Sequence, residues 1–208
     1  AIDSVPLTAI AFFMLTGELM TSATITDRLV SLSRALIGRI RGGLAQVNVL
    51  VSMFFAGMNG SVVADTATVG ALVLPAMKKA GYPAAFSAAV TGVSSTIGGI
   101  IPPSIMMIVL ANSTEISIAA LFAAGIIPGV LIGVVIMIIN HYFAIKYNFE
   151  RSDEPFSVRR AGKELYRSSF ALLIPLVLVG SVMGGVASVV EAGAITAMVA
   201  LLTGVFVY

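Results

Sequence analysis

Residues 44–77 read LAQVNVLVSMFFAGMNGSVVADTATVGALVLPAM, two apolar halves around a polar middle, GMNGSVVADT, at 57–66. Arg39 and Arg41 precede the stretch, and Lys78 and Lys79 follow it. Positive charge beside a membrane segment favours the cytoplasmic side, so both ends are expected there. Each half falls short of the ~20 apolar residues that cross the hydrocarbon. A re-entrant hairpin, entering the membrane and turning partway, fits better than two full spans. Its tip places Asn59, Ser61, Asp65 and Thr66 deep in the bilayer, beside glycines that expose backbone. Irregular polar backbone at that depth survives only when buried in protein or lining a wet cavity, which describes an ion or substrate site of a secondary transporter. The competing reading is two short spans joined by an external polar loop.

Composition supports the membrane assignment. Of the 208 residues, 58% are hydrophobic and 11% charged, with a mean hydropathy of +1.04. Soluble domains carry about 25% charged residues. The 20 glycines and 8 prolines suit membrane helices, where small residues permit close packing and prolines interrupt the backbone. Cysteine is absent, which excludes disulfides and thiolate metal sites. The net charge of +2 is no nucleic-acid signal, because the 12 basic residues fall in three clusters, 28–41, 78–79 and 146–167, beside membrane segments. With the hairpin re-entrant and the remaining apolar runs spanning, all three clusters lie on one side. Two full hairpin spans give the same parity, so arm length and the polar tip decide. The chain starts with Ala and ends inside an apolar run, and both ends are expected to be cut from a longer protein.

Outward from the hairpin, residues 7–20 read as the end of a span, with Glu18 near its inner boundary. In residues 25–40, Ile25, Leu29, Leu32, Leu36 and Ile40 share one helical face while Arg28, Arg34 and Arg39 fall elsewhere, the pattern of an amphipathic interfacial helix. Thr24 or Thr26 is its expected cap. After a turn at 78–83, residues 84–111 are long enough to span but contain GGIIPPS at 98–104. Two adjacent prolines remove backbone donors and clash with the preceding turn, so the helix is expected to break and free carbonyls near 95–101 as possible cation ligands; a simple proline kink is the plainer alternative. Residues 112–117, NSTEIS, are expected outside. Residues 118–145 return inward, with Gly125, Gly129 and Gly133 forming a small-residue face. Residues 146–167 form a cytoplasmic connector with a loop at Asp153-Glu154-Pro155. Residues 169–186 cross outward, and Glu191 opens the last helix, where it suits the helix dipole or serves a site.

Enzymatic chemistry lacks its parts. His141 has no companion at ligand spacing, so a transition-metal site is not expected. Ser61 has no base at its depth, Asp65 has no second aspartate to share a proton, and no phosphate loop is present. Asp65 reads as a direct ligand, a proton carrier or an N-cap of the second hairpin arm.

The stretch RGGLAQVNVLVSMFFAGMNGSVVADTATVGALVLPAMKKAGY at 41–82, followed by STIGGIIPPSIMMIVLA at 95–111, resembles the large, DctM-like permease subunit of tripartite ATP-independent periplasmic (TRAP) transporters; DSVPLTAIAFFMLTGELM and ITDRLVSLSRALIGRIRGG upstream resemble it too. The resemblance implies an all-α polytopic protein of the bacterial or archaeal cytoplasmic (inner) membrane, with a re-entrant hairpin, a discontinuous helix and amphipathic arm helices, the first repeat of an inverted-repeat elevator. It implies sodium-coupled import of C4-dicarboxylates or sialic-acid-like carboxylates, with sodium as coupling ion and no other cofactor. The implied partners are a periplasmic substrate-binding protein and a small four-helix membrane subunit. Carried onto this chain, Asn59, Ser61, Ser95, Gly98 and Pro102 become the ion ligands, and Gly60, Ser61, Asp65, Pro103 and Ser104 face the substrate. Two departures stand out. Ser188-Val189-Val190-Glu191 replaces a Thr-Pro-Thr-Glu run, and Met58-Asn59-Gly60-Ser61 replaces a tip richer in serine and glycine.

The resulting partition is a scaffold helix at 1–23, an arm helix at 24–42, a transport unit of hairpin and broken helix at 43–113, a membrane helix at 114–146, a basic connector at 147–168 and membrane helices at 169–208. A non-transporting membrane scaffold or assembly subunit, with the hairpin serving packing alone, is the alternative function.

Overall fold

A computed structural model describes residues 5–22, 25–149 and 157–206. Among the described residues all the regular structure is helical, with no strand. The elements are α1 (Val5–Ser22), α2 (Ile25–Ile37), α3 (Gly43–Asn59), α4 (Val62–Lys79), α5 (Ala84–Ser95), a 3-10 turn (Thr96–Gly99), α6 (Ile105–Thr114), α7 (Ile118–Lys146), α8 (Val158–Arg167), α9 (Ser169–Met183) and α10 (Val189–Phe206).

The re-entrant stretch forms the hairpin α3–α4, and only Gly60 and Ser61 separate the arms. The arms, 17 and 18 residues, run longer than the apolar halves suggested; the helices absorb Gly43 at one end and both lysines at the other. The polar middle is not a loop: Gly57, Met58 and Asn59 lie inside α3 and are buried, and the second arm resumes at Val62. The second interrupted element also breaks, into α5 and α6 around the 3-10 turn and the two prolines.

α7 is 29 residues long, about 43 Å at 1.5 Å per residue. It and α10 are the two single helices among the described residues that are long and apolar enough to cross a bilayer. α8 and α9 meet at a 58° bend. The outer face of α7 exposes Ile127 (78%), Leu131 (63%) and Ile138 (64%). A continuous apolar face of this kind suits lipid, not water. Its inner face carries the glycine stripe, which receives the break in the α5–α6 element at Gly125 and Gly129 and α3 at Gly133. A Cβ at Gly125 would meet the Ile100 carbonyl oxygen and Met107, one at Gly129 would meet Ile101, and one at Gly133 would stand 2.5 Å from Met53 Sδ.

The three basic clusters converge on one face of the molecule. Tyr82, after α4, packs on Phe149, after α7, with ring centroids 4.6 Å apart, and Phe86 joins them 5.1 Å from Phe149. Burial raises the Tyr82 hydroxyl above the ordinary phenol range, so the ring stays neutral. A Cβ at Gly42, before α3, would meet Ala144. The Ser168 hydroxyl donates to the Arg28 carbonyl at 3.2 Å, tying the start of α9 to α2.

Several boundaries differ from the periodicity. α2 stops at Ile37, and Leu36 and Ile40 are each 41% exposed, because the chain turns at Gly38 to enter α3. Thr26 lies inside α2 with a buried, unpaired hydroxyl and caps nothing; Thr24 lies outside the described residues, as does the loop expected at Asp153-Glu154-Pro155. α6 continues to Thr114 before Glu115 reverses the chain at φ 56°. The connector contains a helix, α8, whose N-cap is Ser157. α10 begins at Val189, and Glu191 closes a reciprocal capping box: its carboxylate accepts from the Ser188 N–H at 2.8 Å, while the Ser188 hydroxyl accepts from the Glu191 N–H at 3.3 Å.

Candidate functional site

The hairpin turns by local chemistry. α3 ends at Asn59, and Gly60 takes a left-handed backbone at φ 61° and ψ 15°, a region open to glycine at little cost. Asn59 Oδ1 accepts from the Ser61 N–H at 3.1 Å. The Ser61 hydroxyl accepts from the Ala64 N–H at 3.3 Å, which makes Ser61 the N-cap of α4. Asp65, four residues further on, is therefore not the cap. Thr66 is exposed, and its hydroxyl is returned to the Val62 carbonyl at 2.8 Å.

The break uses the same device. Pro102 and Pro103 are joined by a cis peptide bond, and Ser104 then caps α6. The Ser104 hydroxyl accepts from the Met107 N–H at 3.3 Å and donates to the Gly99 carbonyl at 2.8 Å, fastening one side of the break to the other. The Ile97 carbonyl accepts from Ile100 and Ile101, each at 2.9 Å. The expected freeing of carbonyls across 95–101 is therefore incomplete, since Ile97 and Gly99 are already engaged.

The two interrupted elements meet. The Ile105 N–H, an orphan of the first turn of α6, donates to the Gly60 carbonyl at 3.2 Å. A Cβ on Gly60 would strike the Pro103 carbonyl oxygen. A Cβ on Gly57 would sit 3.7 Å from the Pro102 oxygen, and one on Gly98 would sit 3.7 Å from the Ser61 carbonyl carbon and the Val62 nitrogen. Asn59, Gly60, Ser61, Gly98, Pro102, Pro103 and Ser104 are thus brought together. α1 closes the far side, where a Cβ on Gly17 would stand 2.7 Å from Asn59 Cβ. Two serine-capped helix starts open within this junction.

A cleft of about 140 Å³ lies between α1, the hairpin tip and α6, with Glu18, Thr21, Asn59, Ser61, Thr68 and Ile105 among its lining residues. Glu18, read from the sequence as an interface residue, borders this cleft. Thr21 and Thr68 carried no sequence signal, because single threonines in apolar helices are common. The volume is below the ~300–1,000 Å³ of ordinary ligand pockets.

Ser95 and Asp65 occupy a different place. Both are fully buried, and neither borders the cleft. They belong to a polar seam between α3, α4 and α5. Ser52 donates to Ser94 at 3.2 Å, Ser94 to Asn48 Oδ1 at 3.1 Å, and Asn48 Nδ2 to the Thr91 hydroxyl at 2.7 Å. Ser95 donates to the Thr91 carbonyl at 2.8 Å.

Chemically, the junction offers the positive ends of two helices to an anion and hydroxyl, amide and carbonyl oxygens to a hard cation. Among the described residues no three His, Cys, Asp or Glu side chains gather as transition-metal ligands.

The family model for the tripartite ATP-independent periplasmic transporter, DctM component, matches residues 1–208. The chain belongs to the DctM family. It is 38% identical over 209 residues to the sialic acid TRAP transporter permease protein SiaT of Haemophilus influenzae, covering all of this chain and 34% of that protein. It is 36% identical to the large permease protein SiaM of the Vibrio cholerae sialic acid TRAP transporter, covering 100% of this chain and 48% of the relative. It is also 36% identical to the C4-dicarboxylate TRAP transporter large permease protein DctM of Pseudomonas aeruginosa, covering 97% and 47%. The chain thus spans between a third and a half of the length of these DctM-family relatives.

Proposed function

We propose that the chain is part of a TRAP permease that imports a small organic acid, coupled to sodium, by elevator-type alternating access. The observation that carries this reading is the hydrogen-bonded junction between the hairpin tip and the broken helix, Gly60 carbonyl to Ile105 N–H at 3.2 Å, with two serine-capped helix starts beside it. A carboxylate is recognised there by the amides that follow Ser61 and Ser104, aided by the helix dipoles, with the backbone at Gly60 and Pro103 shaping the approach. A sodium ion takes Asn59, Ser61 and the backbone oxygens of Gly98 and Pro102, all hard donors; Ser95, set apart in the seam between α3, α4 and α5, is not among them. The substrate class follows those for which the relatives are named, sialic acid and C4-dicarboxylates. The rest of the pocket comes from chain outside residues 1–208, in keeping with the small volume of the cleft. A periplasmic binding protein delivers the acid, and a small membrane subunit braces the scaffold, here α1, α2 and α7–α10. Hairpin and broken helix move as one body, a reading supported by the polar seam that joins α3 to α5. The protein sits in the cytoplasmic membrane, multi-pass, and catalyses no covalent step.

The test is uptake of labelled sialic acid and succinate by cells carrying the intact system. Asn59→Leu and Ser61→Leu are expected to abolish sodium-driven uptake of the transported acid at unchanged membrane expression. Undiminished uptake in both variants removes the site, and the absence of any sodium-dependent flux in the reconstituted wild type restores the scaffold reading.

A further inference from the structure

α8 buries none of its residues. Around its axis Val158, Gly162 and Leu165 share one edge, and Arg159, Lys163 and Arg167 share another. Tyr166 lies on the border between the two. Ala161 and Glu164, on the remaining side, are the least exposed residues of the helix, where it rests on α2. Glu164 pairs there with Arg167 at 3.5 Å. The apolar edge stays uncovered, with Val158 76% exposed and Leu165 51% exposed, and Tyr166 beside it is 82% exposed. Among the described residues neither Arg159 nor Lys163 meets a carboxylate. The place of α8 in the chain explains this pattern. Ser168 alone separates it from α9, SFALLIPLVLVGSVM, which carries no charged side chain. α8 leaves α9 at a 58° bend, so where α9 enters the bilayer, α8 turns along its surface. Four bases against one acid keep α8 out of the hydrocarbon.

We propose that α8 is a docking surface for anionic phospholipid, with Val158 and Leu165 among the upper acyl carbons and Arg159 and Lys163 on the phosphate. Charge complementarity selects this occupant. A membrane leaflet rich in anionic lipid sets acyl chains and negative phosphates side by side, in the same order as the two edges of the helix. The Arg159 guanidinium matches phosphate oxygens as a fork, and Lys163 adds a point charge one turn away. Tyr166, between the edges, has the apolar ring and polar tip of a residue at the headgroup level. A protein helix covering Val158 and Leu165 leaves Arg159 and Lys163 without an anion unless it brings acids of its own. The lipid also braces the fold. The Ser168 hydroxyl ties the end of α8 to the Arg28 carbonyl of α2, and Leu29 and Val30 of α2 share a core with Val47 and Val49 of α3. Lipid held by α8 therefore stiffens the corner from which the hairpin departs, whichever acid or ion the permease carries.

The probe is dioctanoyl-phosphatidylglycerol, titrated into the intact permease in a neutral detergent. Dioctanoyl-phosphatidylcholine and glycerol 3-phosphate serve as the uncharged lipid and the chainless headgroup. Melting temperature is the readout, and neither lipid nor readout involves uptake. Phosphatidylglycerol is expected to raise the melting temperature, and the other two to leave it unchanged. An equal rise with phosphatidylcholine removes the role of charge and overturns the site. An equal rise with glycerol 3-phosphate assigns the bases to a soluble phosphate and also overturns it. Arg159→Gln with Lys163→Gln is expected to raise the phosphatidylglycerol midpoint roughly thirtyfold, about fivefold for each base at an anionic surface. Lys78→Gln with Lys79→Gln removes the same charge from another basic cluster and is expected to leave the midpoint unchanged. Equal losses in the two double variants mean diffuse attraction and overturn the site. If the α8 double variant does not fold, an unchanged midpoint in Lys163→Gln overturns it alone. The apolar edge is tested in nanodiscs of phosphatidylcholine and phosphatidylglycerol in equal parts, with bimane on Leu165→Cys and any other cysteine of the permease replaced. A nitroxide high on the acyl chain is expected to quench the bimane. An unquenched bimane assigns this edge to a protein partner and overturns the proposal.

Discussion

Gly60 is the residue on which the junction turns, for two independent reasons. Its φ of 61° lies in the left-handed region, which costs an ordinary residue about 1–2 kcal/mol, and any Cβ there would strike the backbone oxygen of Pro103, an atom with no freedom to move aside. Gly60→Ala is therefore expected to destabilise the protein by about 1–3 kcal/mol, strain and overpacking together. Gly92→Ala is the control. It sits inside α5 with nothing within 4 Å of its would-be Cβ, so helix propensity makes the change neutral or stabilising by up to about 1 kcal/mol. Melting temperatures in detergent with opposite signs for the two variants are the expected result, and equal shifts refute the account of the turn. At this scale the sequence was partly legible. Glycine beside serine marked the tip, but nothing in Gly57–Thr66 distinguished Ser61 from Asp65 as the cap, because both residue types cap well. Glu191 was more legible than the reading made of it, since Ser188-Val189-Val190-Glu191 already has capping-box spacing. Asp65 lacking a hydrogen-bond partner was not legible at all, because the partners of a buried acid come from other helices.

Both interrupted elements could be read from composition, since adjacent prolines after two glycines break a helix whatever surrounds them. Their contact could not, because it rests on a backbone hydrogen bond between residues 60 and 105 that no side-chain pattern encodes. The glycines of α7 show the same division. Their four-residue spacing announced a face for close packing, while its occupants, the break and α3, emerge only from the tertiary arrangement. That arrangement ranks three substitutions of identical chemistry. Gly125→Ala drives a methyl into the Ile100 carbonyl oxygen, Gly129→Ala meets the branched Ile101, and Gly133→Ala meets the thioether of Met53. Backbone yields least and methionine most. Overpacking costs about 1–3 kcal/mol, offset by up to about 1 kcal/mol of helix propensity, so the stability losses should fall in the order 125, 129, 133, with the last near zero. Thermal melts of the three variants test the order, and an inverted or flat series shows that the break does not dock on this stripe.

For the whole molecule, charge and packing independently gather the same segments on one face. Charge alone put the three basic clusters on the cytoplasmic side. Packing brings their ends together without reference to a membrane, through Tyr82 on Phe149 and Ser168 on Arg28. α7, about 43 Å long, separates this face from the turn at Glu115–Ser117. The orientation of a single residue on each face then fixes the rest. Residues 1–208 contain no cysteine, so single replacements here report cleanly once any cysteine elsewhere in the intact permease has been replaced. Lys79 and Lys163, both exposed, sit in basic clusters, and Ser113, also exposed, ends α6 on the opposite face. In intact spheroplasts a membrane-impermeant maleimide is expected to modify Ser113→Cys and to leave Lys79→Cys and Lys163→Cys unmodified until the membrane is permeabilised. Labelling of Lys79→Cys from outside would place one hairpin arm across the bilayer without its partner. The 3.2 Å bond from Gly60 to Ile105 would then have to form at the membrane surface, and the junction would lose the buried depth that the proposed ion and acid site requires.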